Sequence, residues 1–218
     1  MPRLLFEKTG NAIWISHLDL MRLFQRAFKR AQLPLSHTQG FNPRPSISIL
    51  LPLSVGVQSH CEMLDFDLDG VEVPCDEIGK RLNDTLVDGI HVLSVYEQGR
   101  KGKELKYLDC EVTLVYDKGV PHGASEGIDK LFRRESVVLE KRSKNGVTEQ
   151  NIIPMIHSLL VQEAGNCVMI RACICCQDPA LNPTQLAAAV QMFLPEFTPD
   201  AISCCRLEAY DGNLELFR

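Results

Sequence analysis

The chain has 218 residues, of which 45% are hydrophobic and 23% are charged, and it carries a formal net charge of −5. This length holds one large or two small folded domains, and this composition is typical of a folded soluble protein and not of a disordered chain. No run of about 18 apolar residues occurs, and the first residues do not read as a secretory signal. We therefore expect a cytoplasmic protein that does not enter a membrane.

The overall charge hides an uneven distribution along the chain. Residues 1–58 contain seven Lys or Arg and two acidic residues, a net charge of about +5, which leaves about −10 for the rest of the sequence. A basic segment suits a polyanion-binding surface because Lys and Arg neutralise phosphates. An ordinary solvated helix face is the alternative interpretation of the same residues.

The first elements in chain order are a strand over residues 3–7 and a helix that begins after Ser16. Ser16 has the position of an N-cap, with Asp19 three residues later as in a capping box, and Pro34 ends the helix. The apolar residues that share one side of this helix are Leu20, Leu23, Phe24, Ala27, Phe28 and Ala31. The opposite side carries a basic stripe of Arg22, Arg26, Lys29 and Arg30, which the helical period predicts to be exposed.

A Pro-rich loop over residues 36–45 follows the helix. Its two prolines fix φ and favour extended conformations at the residues before them, so a long but stiff loop is expected. The candidate ligand-binding residues of this loop are Gln39, Phe41, Asn42 and Arg44. The amides form hydrogen bonds, Arg44 suits a phosphate or carboxylate, and an exposed Phe41 suits a base. Trp14 lies in an apolar stretch and is expected in the core.

Further periodicity completes a βαββαβ order in the first half. Alternation predicts strands over residues 46–51, 61–68 and 91–96, with a helix over 74–86. A polar, glycine-containing break after residue 97 predicts a first domain over 1–97 and a second over 105–218. The fold class predicted is α+β, with two ferredoxin-like (βαββαβ) units, each an antiparallel sheet with helices on one face.

The second half repeats this order without a visible sequence repeat. The predicted strands cover residues 107–116, 136–141, 155–162, 167–176 and 201–210. The predicted helices cover 125–133 and 183–193, the latter with Pro183 in its first turn. The strands over 155–162 and 167–176 are expected to form a hairpin.

Three segments carry a family resemblance: residues 15–22 (ISHLDLMR), 39–45 (QGFNPRP) and 51–57 (LPLSVGV). Together with Leu33-Pro34-Leu35 they resemble the radical-SAM-associated protein family, a bacterial domain fused to or encoded beside cobalamin-binding radical-SAM proteins. The resemblance is specific over residues 3–68. It implies an accessory role beside a radical-SAM protein encoded nearby, with RNA or a ribonucleoprotein as the substrate.

Catalytic motifs are missing from the sequence. The cysteines never give the C-x-x-x-C-x-x-C spacing of a radical-SAM cluster, and neither a Walker loop nor a dinucleotide-binding turn occurs. The nine cysteines include two adjacent pairs, which favours reduced, buried thiols over disulfides or a zinc site. No cofactor and no metal are therefore expected.

Two functional classes compete with a non-catalytic binding module. A metal-independent endoribonuclease would use His17 and His37 as an acid/base pair, because imidazole titrates near neutral pH. A protein-interaction subunit would direct the basic stripe to an acidic patch on the enzyme.

Overall fold

The computed structural model describes residues 1–143 and 146–218. It divides into two compact units, Met1–Glu104 with Phe217–Arg218, and Leu105–Leu216. Each unit combines antiparallel strand pairs with two α-helices, so the protein has a mixed α+β fold. No helix in the described residues is long and apolar enough to cross a membrane.

The first unit contains four strands and two α-helices. In chain order these elements are β1 (Arg3–Lys8), α1 (His17–Arg30), β2 (Ile47–Ile49), β3 (Val57–Phe66), α2 (Cys75–Asn83) and β4 (Ile90–Tyr96). The strands lie in the order β4-β1-β3-β2, and the three pairs are antiparallel. The prediction of these elements was correct in type and order, but β2 is shorter than predicted and β3 begins earlier.

Both helices of the first unit pack on the same face of its sheet. Leu4 and Phe6 alternate along β1, and their side chains join those of α1 and α2 in one buried cluster. The rings of Phe6 and Phe24 meet edge to face, with centroids 4.8 Å apart. This packing fixes α1 on the sheet and leaves its polar side outward.

The local sequence explains where the two helices begin and end. The Ser16 hydroxyl accepts a hydrogen bond from the backbone N–H of Asp19 at 3.2 Å, as expected for the N-cap of α1. The helix α2 ends at Asn83, three residues before the predicted end. The Thr85 hydroxyl donates to the Leu82 carbonyl at 2.9 Å, which satisfies a carbonyl of the last turn.

In its described residues, the second unit contains six strands and two α-helices. Its elements are β5 (Leu105–Val115), α3 (Ala124–Phe132), β6 (Val138–Ser143), β7 (Gly146–Asn151), β8 (Ile156–Ala164), β9 (Cys167–Cys175), α4 (Pro183–Phe193) and β10 (Ala201–Asp211). The strand order β10-β5-β9-β8 is antiparallel throughout, and β6 pairs with β7 in a separate hairpin. The sequence predicted the β8–β9 hairpin and the bounds of α4 but missed β7, because residues 146–151 are polar and largely exposed.

Candidate functional site

Two of the four cations in the basic stripe are held by partners within the protein. The Arg22 guanidinium lies 3.0 Å from the Asp19 carboxylate, and Arg30 donates to the Thr85 carbonyl oxygen at 2.7 Å. Hydrogen bonds from Ser16 and Arg22 lower the pKa of Asp19, which stays ionised. Arg22 is therefore neutralised locally, and Arg30 ties α1 to the segment after α2.

Arg26 and Lys29 are the cations of the stripe that remain available. Both side chains are exposed, and neither forms an ion pair within the described residues. They are three residues apart on α1, a spacing that places their Cβ atoms about 5–6 Å apart on one face. The Arg26 guanidinium and the Lys29 ammonium can therefore hold one phosphate between them.

The Pro-rich loop has two arms joined by hydrogen bonds. The N–H of Ser46 donates to the Ser36 carbonyl at 2.8 Å, and the N–H of Thr38 donates to the Arg44 carbonyl at 2.9 Å. The Thr38 hydroxyl in turn accepts from the N–H of Arg44 at 3.0 Å. At the base, Ser36 donates to the Asp67 carboxylate at 2.7 Å. These bonds hold the loop in a hairpin-like shape.

All four candidate ligand-binding residues of the loop are exposed. Gln39, Phe41 and Asn42 lie at the tip, beyond the bonds between Thr38 and Arg44, and the Phe41 side chain is fully exposed. Arg44 forms no ion pair within the part of the chain that the structure describes. The loop thus presents an aromatic ring and two amides at its tip, and a guanidinium on the arm below, to solvent.

A pocket of about 460 Å³ lies between α1 and the Pro-rich loop. Its residues come from the last turns of α1, the segment after the helix and the two arms of the loop. The lining comprises Gln25, Arg26, Phe28, Lys29, Leu33, Pro34, Leu35, His37 and Pro45. Phe28, Leu33 and Leu35 are buried, whereas Arg26, Lys29 and His37 are exposed, so the pocket has an apolar floor and a polar rim.

His17 and His37 lie beside different ends of α1, and the acid/base role of this pair stays a prediction. His17 is the first residue of α1, while His37 lines the pocket with residues 25–29 of the same helix. At 1.5 Å per residue the eight positions from His17 to Gln25 correspond to about 12 Å along the helix axis. An acid and a base that act on one phosphate need hydrogen-bond reach of the same group.

Trp14 is not in the core, and the prediction for it was wrong. Its side chain is 67% exposed, on a 3-10 turn over Gly10–Trp14 between β1 and α1. The buried Lys8 ammonium donates to the carbonyls of Ile13 and Ile15 at 3.0 and 2.8 Å, and burial lowers the pKa of this lysine. The two bonds fix the turn with the indole outward.

Two buried cysteines of the second unit have raised thiol pKa values. Burial raises the pKa of Cys204 to about 11 and that of Cys176 to about 12, so both thiols are protonated at neutral pH. Across residues 1–143 and 146–218, His, Cys, Asp and Glu side chains form no group of three that would suit a metal ion. The candidate site is the pocket beside α1, because the two available cations of the stripe, Arg26 and Lys29, line it.

Sequence reasoning missed the uncharged part of this site. Gln25 and the prolines Pro34 and Pro45 line the pocket but were not among the predicted residues. For Gln25 a signal existed, because it lies four residues before Lys29 on the same helix face. Pro34 was interpreted only as a helix stop.

These features define an α+β protein with a basic, apolar-floored pocket on its first unit. The chain belongs to a bacterial family described as an uncharacterized protein conserved in bacteria (DUF2344), whose model matches residues 2–183. No curated protein sequence matches it. Among solved structures it is similar to a chain in a crystal structure of a Cbf5-Nop10-Gar1 complex, with 8% sequence identity and a TM-score of 0.51.

This structural similarity covers 95% of the present chain and 48% of the other one. The chain thus spans about half the length of the protein that it matches. At 8% identity the similarity concerns the fold alone.

Proposed function

We propose that this protein is a non-catalytic accessory module that presents RNA to a cobalamin-binding radical-SAM enzyme in the cytoplasm. The observation that carries the RNA part is the pair Arg26 and Lys29, exposed and without an ion-pair partner in the described residues, beside a pocket and a loop that holds Arg44. These cations attract an anion locally although the whole chain has a net charge of −5. The partner is proposed from the resemblance carried by residues 15–22, 39–45 and 51–57.

RNA fits this surface better than an acidic protein segment does. An acidic segment needs cations alone, whereas unpaired bases also need apolar and aromatic surface. The pocket supplies accessible apolar surface at Pro34 and Pro45, and the loop tip supplies a fully exposed ring in Phe41. Gln39 and Asn42 add amide groups that donate and accept hydrogen bonds.

We also propose that each unit is ferredoxin-like. In the first unit the element order βαββαβ and the strand order β4-β1-β3-β2 support this assignment. In the second unit the order is equivalent when the β6–β7 hairpin is taken as an insertion, with the strands ordered β10-β5-β9-β8.

Binding of a fluorescently labelled RNA, followed by polarisation, tests the proposed function. If Arg26 and Lys29 share one phosphate and Arg44 contacts a second, the logarithm of the binding constant falls against the logarithm of salt concentration with a slope of about −1.4. We expect Arg26→Glu with Lys29→Glu to abolish binding. Arg30 is left unchanged because its contact with Thr85 ties two elements together.

The matched control is Lys80→Glu with Lys103→Glu, which changes the net charge equally at exposed lysines of the same unit. We expect this control to retain RNA binding. Equal losses in both double variants, or equal affinity for polyglutamate and RNA, would refute the RNA assignment. Co-expression with the neighbouring radical-SAM protein tests the partner, and separate elution of the two proteins on size exclusion would refute it.

A further inference from the structure

We propose that the pocket between α1 and the Pro-rich loop receives one unpaired base of single-stranded RNA while Arg26 and Lys29 hold the adjacent phosphate. This inference rests on the proposed RNA-binding function and adds to it the selection of single strands over duplexes.

The shape and lining of the pocket fit a flat, mostly apolar group. Its volume of about 460 Å³ lies within the range of sites for small ligands, about 300–1,000 Å³. Phe28 and Leu33 have no exposed surface and only back the pocket. Its accessible apolar surface comes from Leu35 and from the rigid rings of Pro34 and Pro45. No charged side chain lies on the floor, so a phosphate would gain nothing there, whereas a base would lose its contact with water.

The rim matches the polar edge and the backbone of the same nucleotide. Gln25 lies one residue from Arg26 and four from Lys29, and its amide can donate to and accept from a base edge. Arg26 and Lys29 are exposed at the same rim, where a phosphate follows each base. One nucleotide thus satisfies the floor and the rim together, which a carboxylate side chain cannot do.

The loop supplies a second contact for the neighbouring nucleotide. Phe41 is fully exposed at the tip, and the bonds between Thr38 and Arg44 hold the arms that carry it. An ordered loop loses little entropy on binding. A base that stacks on an aromatic ring adds to the binding free energy whatever its identity, because every base has a flat face. Bases in an A-form duplex are paired and stacked, so they cannot enter the pocket or stack on Phe41.

The experiment compares three labelled RNAs of equal length: a single strand, the same strand in a duplex, and the same strand with abasic riboses at its central positions. The abasic strand keeps its phosphates, so it isolates the contribution of the bases. We expect the intact single strand to bind about 5- to 100-fold more tightly than the abasic strand. The duplex should bind no more tightly than the abasic strand.

Two variants of Gln25 test whether the pocket causes this difference. In a Phe41→Ala background, which removes the second stacking contact, Gln25→Phe places a ring at the rim of the pocket and should reduce the difference between intact and abasic RNA to less than about 3-fold, with the salt slope unchanged. Gln25→Ala removes the amide without filling the pocket, so it should reduce the difference between intact and abasic RNA by less. This variant keeps the test valid if Gln25→Phe fails to fold. Gln98→Phe, at an exposed position of the same unit, serves as the control and should bind as wild type does.

The failures of the two proposals are distinguishable. Salt-dependent binding that is equal for intact, abasic and duplex RNA would overturn the base pocket and leave the proposed RNA binding in place. A difference that survives Gln25→Phe in the Phe41→Ala background would also overturn the pocket. No binding of any of the three RNAs at low salt would overturn the proposed function itself.

Discussion

Replacement of Arg3 by methionine tests whether a buried ion pair stabilises the first unit. The Arg3 guanidinium donates to both carboxylate oxygens of Asp65, at 2.6 and 3.1 Å, and to the Arg100 carbonyl at 2.7 Å. It also lies 5.2 Å from the centre of the Phe217 ring. The Arg3 side chain is 2% exposed and that of Asp65 is 24% exposed.

The expected loss follows from this geometry. Removal of one partner from a buried pair costs about 3–5 kcal/mol, because the remaining charge loses its partner without regaining water. Asp65 retains some contact with solvent, which reduces the cost of losing its partner. Nη1 of Arg3 makes no hydrogen bond in the described residues, so the loss of this nitrogen breaks no hydrogen bond. We therefore expect Arg3→Met to lower the free energy of unfolding by about 3 kcal/mol.

Urea denaturation followed by far-UV circular dichroism measures this change. Arg22→Met is the control, since its pair with Asp19 is exposed and should leave the unfolding midpoint unchanged. The double variant Arg3→Met with Asp65→Leu should recover part of the loss, because it leaves no carboxylate unpaired. A loss below about 1 kcal/mol in Arg3→Met, or no recovery in the double variant, would refute the reasoning.

Three further predictions concern stability and use the same urea titration. Ser16→Ala removes the N-cap of α1 and should cost about 1 kcal/mol; an unchanged midpoint would show that the cap contributes little. Gly89→Ala should destabilise more than Gly70→Ala does, because both have positive φ but only a Cβ at Gly89 would clash with the backbone oxygen of Thr9. Burial raises the pKa of Cys204 to about 11, so the unfolded thiol ionises first and stability should fall between pH 9 and 11. Cys204→Val should reduce that fall, and an equal fall in this variant would assign it to other groups.

Local signals in the sequence were enough for much of the first unit. The N-cap at Ser16 and the apolar side of α1 depend on neighbours within a few residues, so the sequence predicted both. The hydrogen bond from Arg30 to Thr85 joins positions 55 apart in sequence, and no local pattern indicates it. The stripe is an exposed face as predicted, but two of its cations, Arg22 and Arg30, have partners within the protein.

The candidate site was predicted only in its charged and aromatic parts. The pocket forms because Leu33 and Leu35, between α1 and the Pro-rich loop, are buried in the core. Their burial holds the arms of the loop beside α1, and it depends on tertiary contacts that no local pattern indicates. Trp14 was misplaced because its apolar neighbours suggested burial. Hydrogen bonds from Lys8 hold the turn with Trp14 outward, and the alternation of β1 alone did not predict that this lysine is buried.

The anchored turn at Trp14 gives the protein an internal optical reporter. Trp14 is the single tryptophan of the chain, and it lies before the first turn of α1, whereas the pocket uses the last turns of that helix. Its emission responds to whether water reaches the indole, so a partner that covers the turn would shift the spectrum to shorter wavelength. A ligand confined to the pocket would leave the spectrum as it is, which allows the two kinds of association to be followed separately in one unlabelled sample.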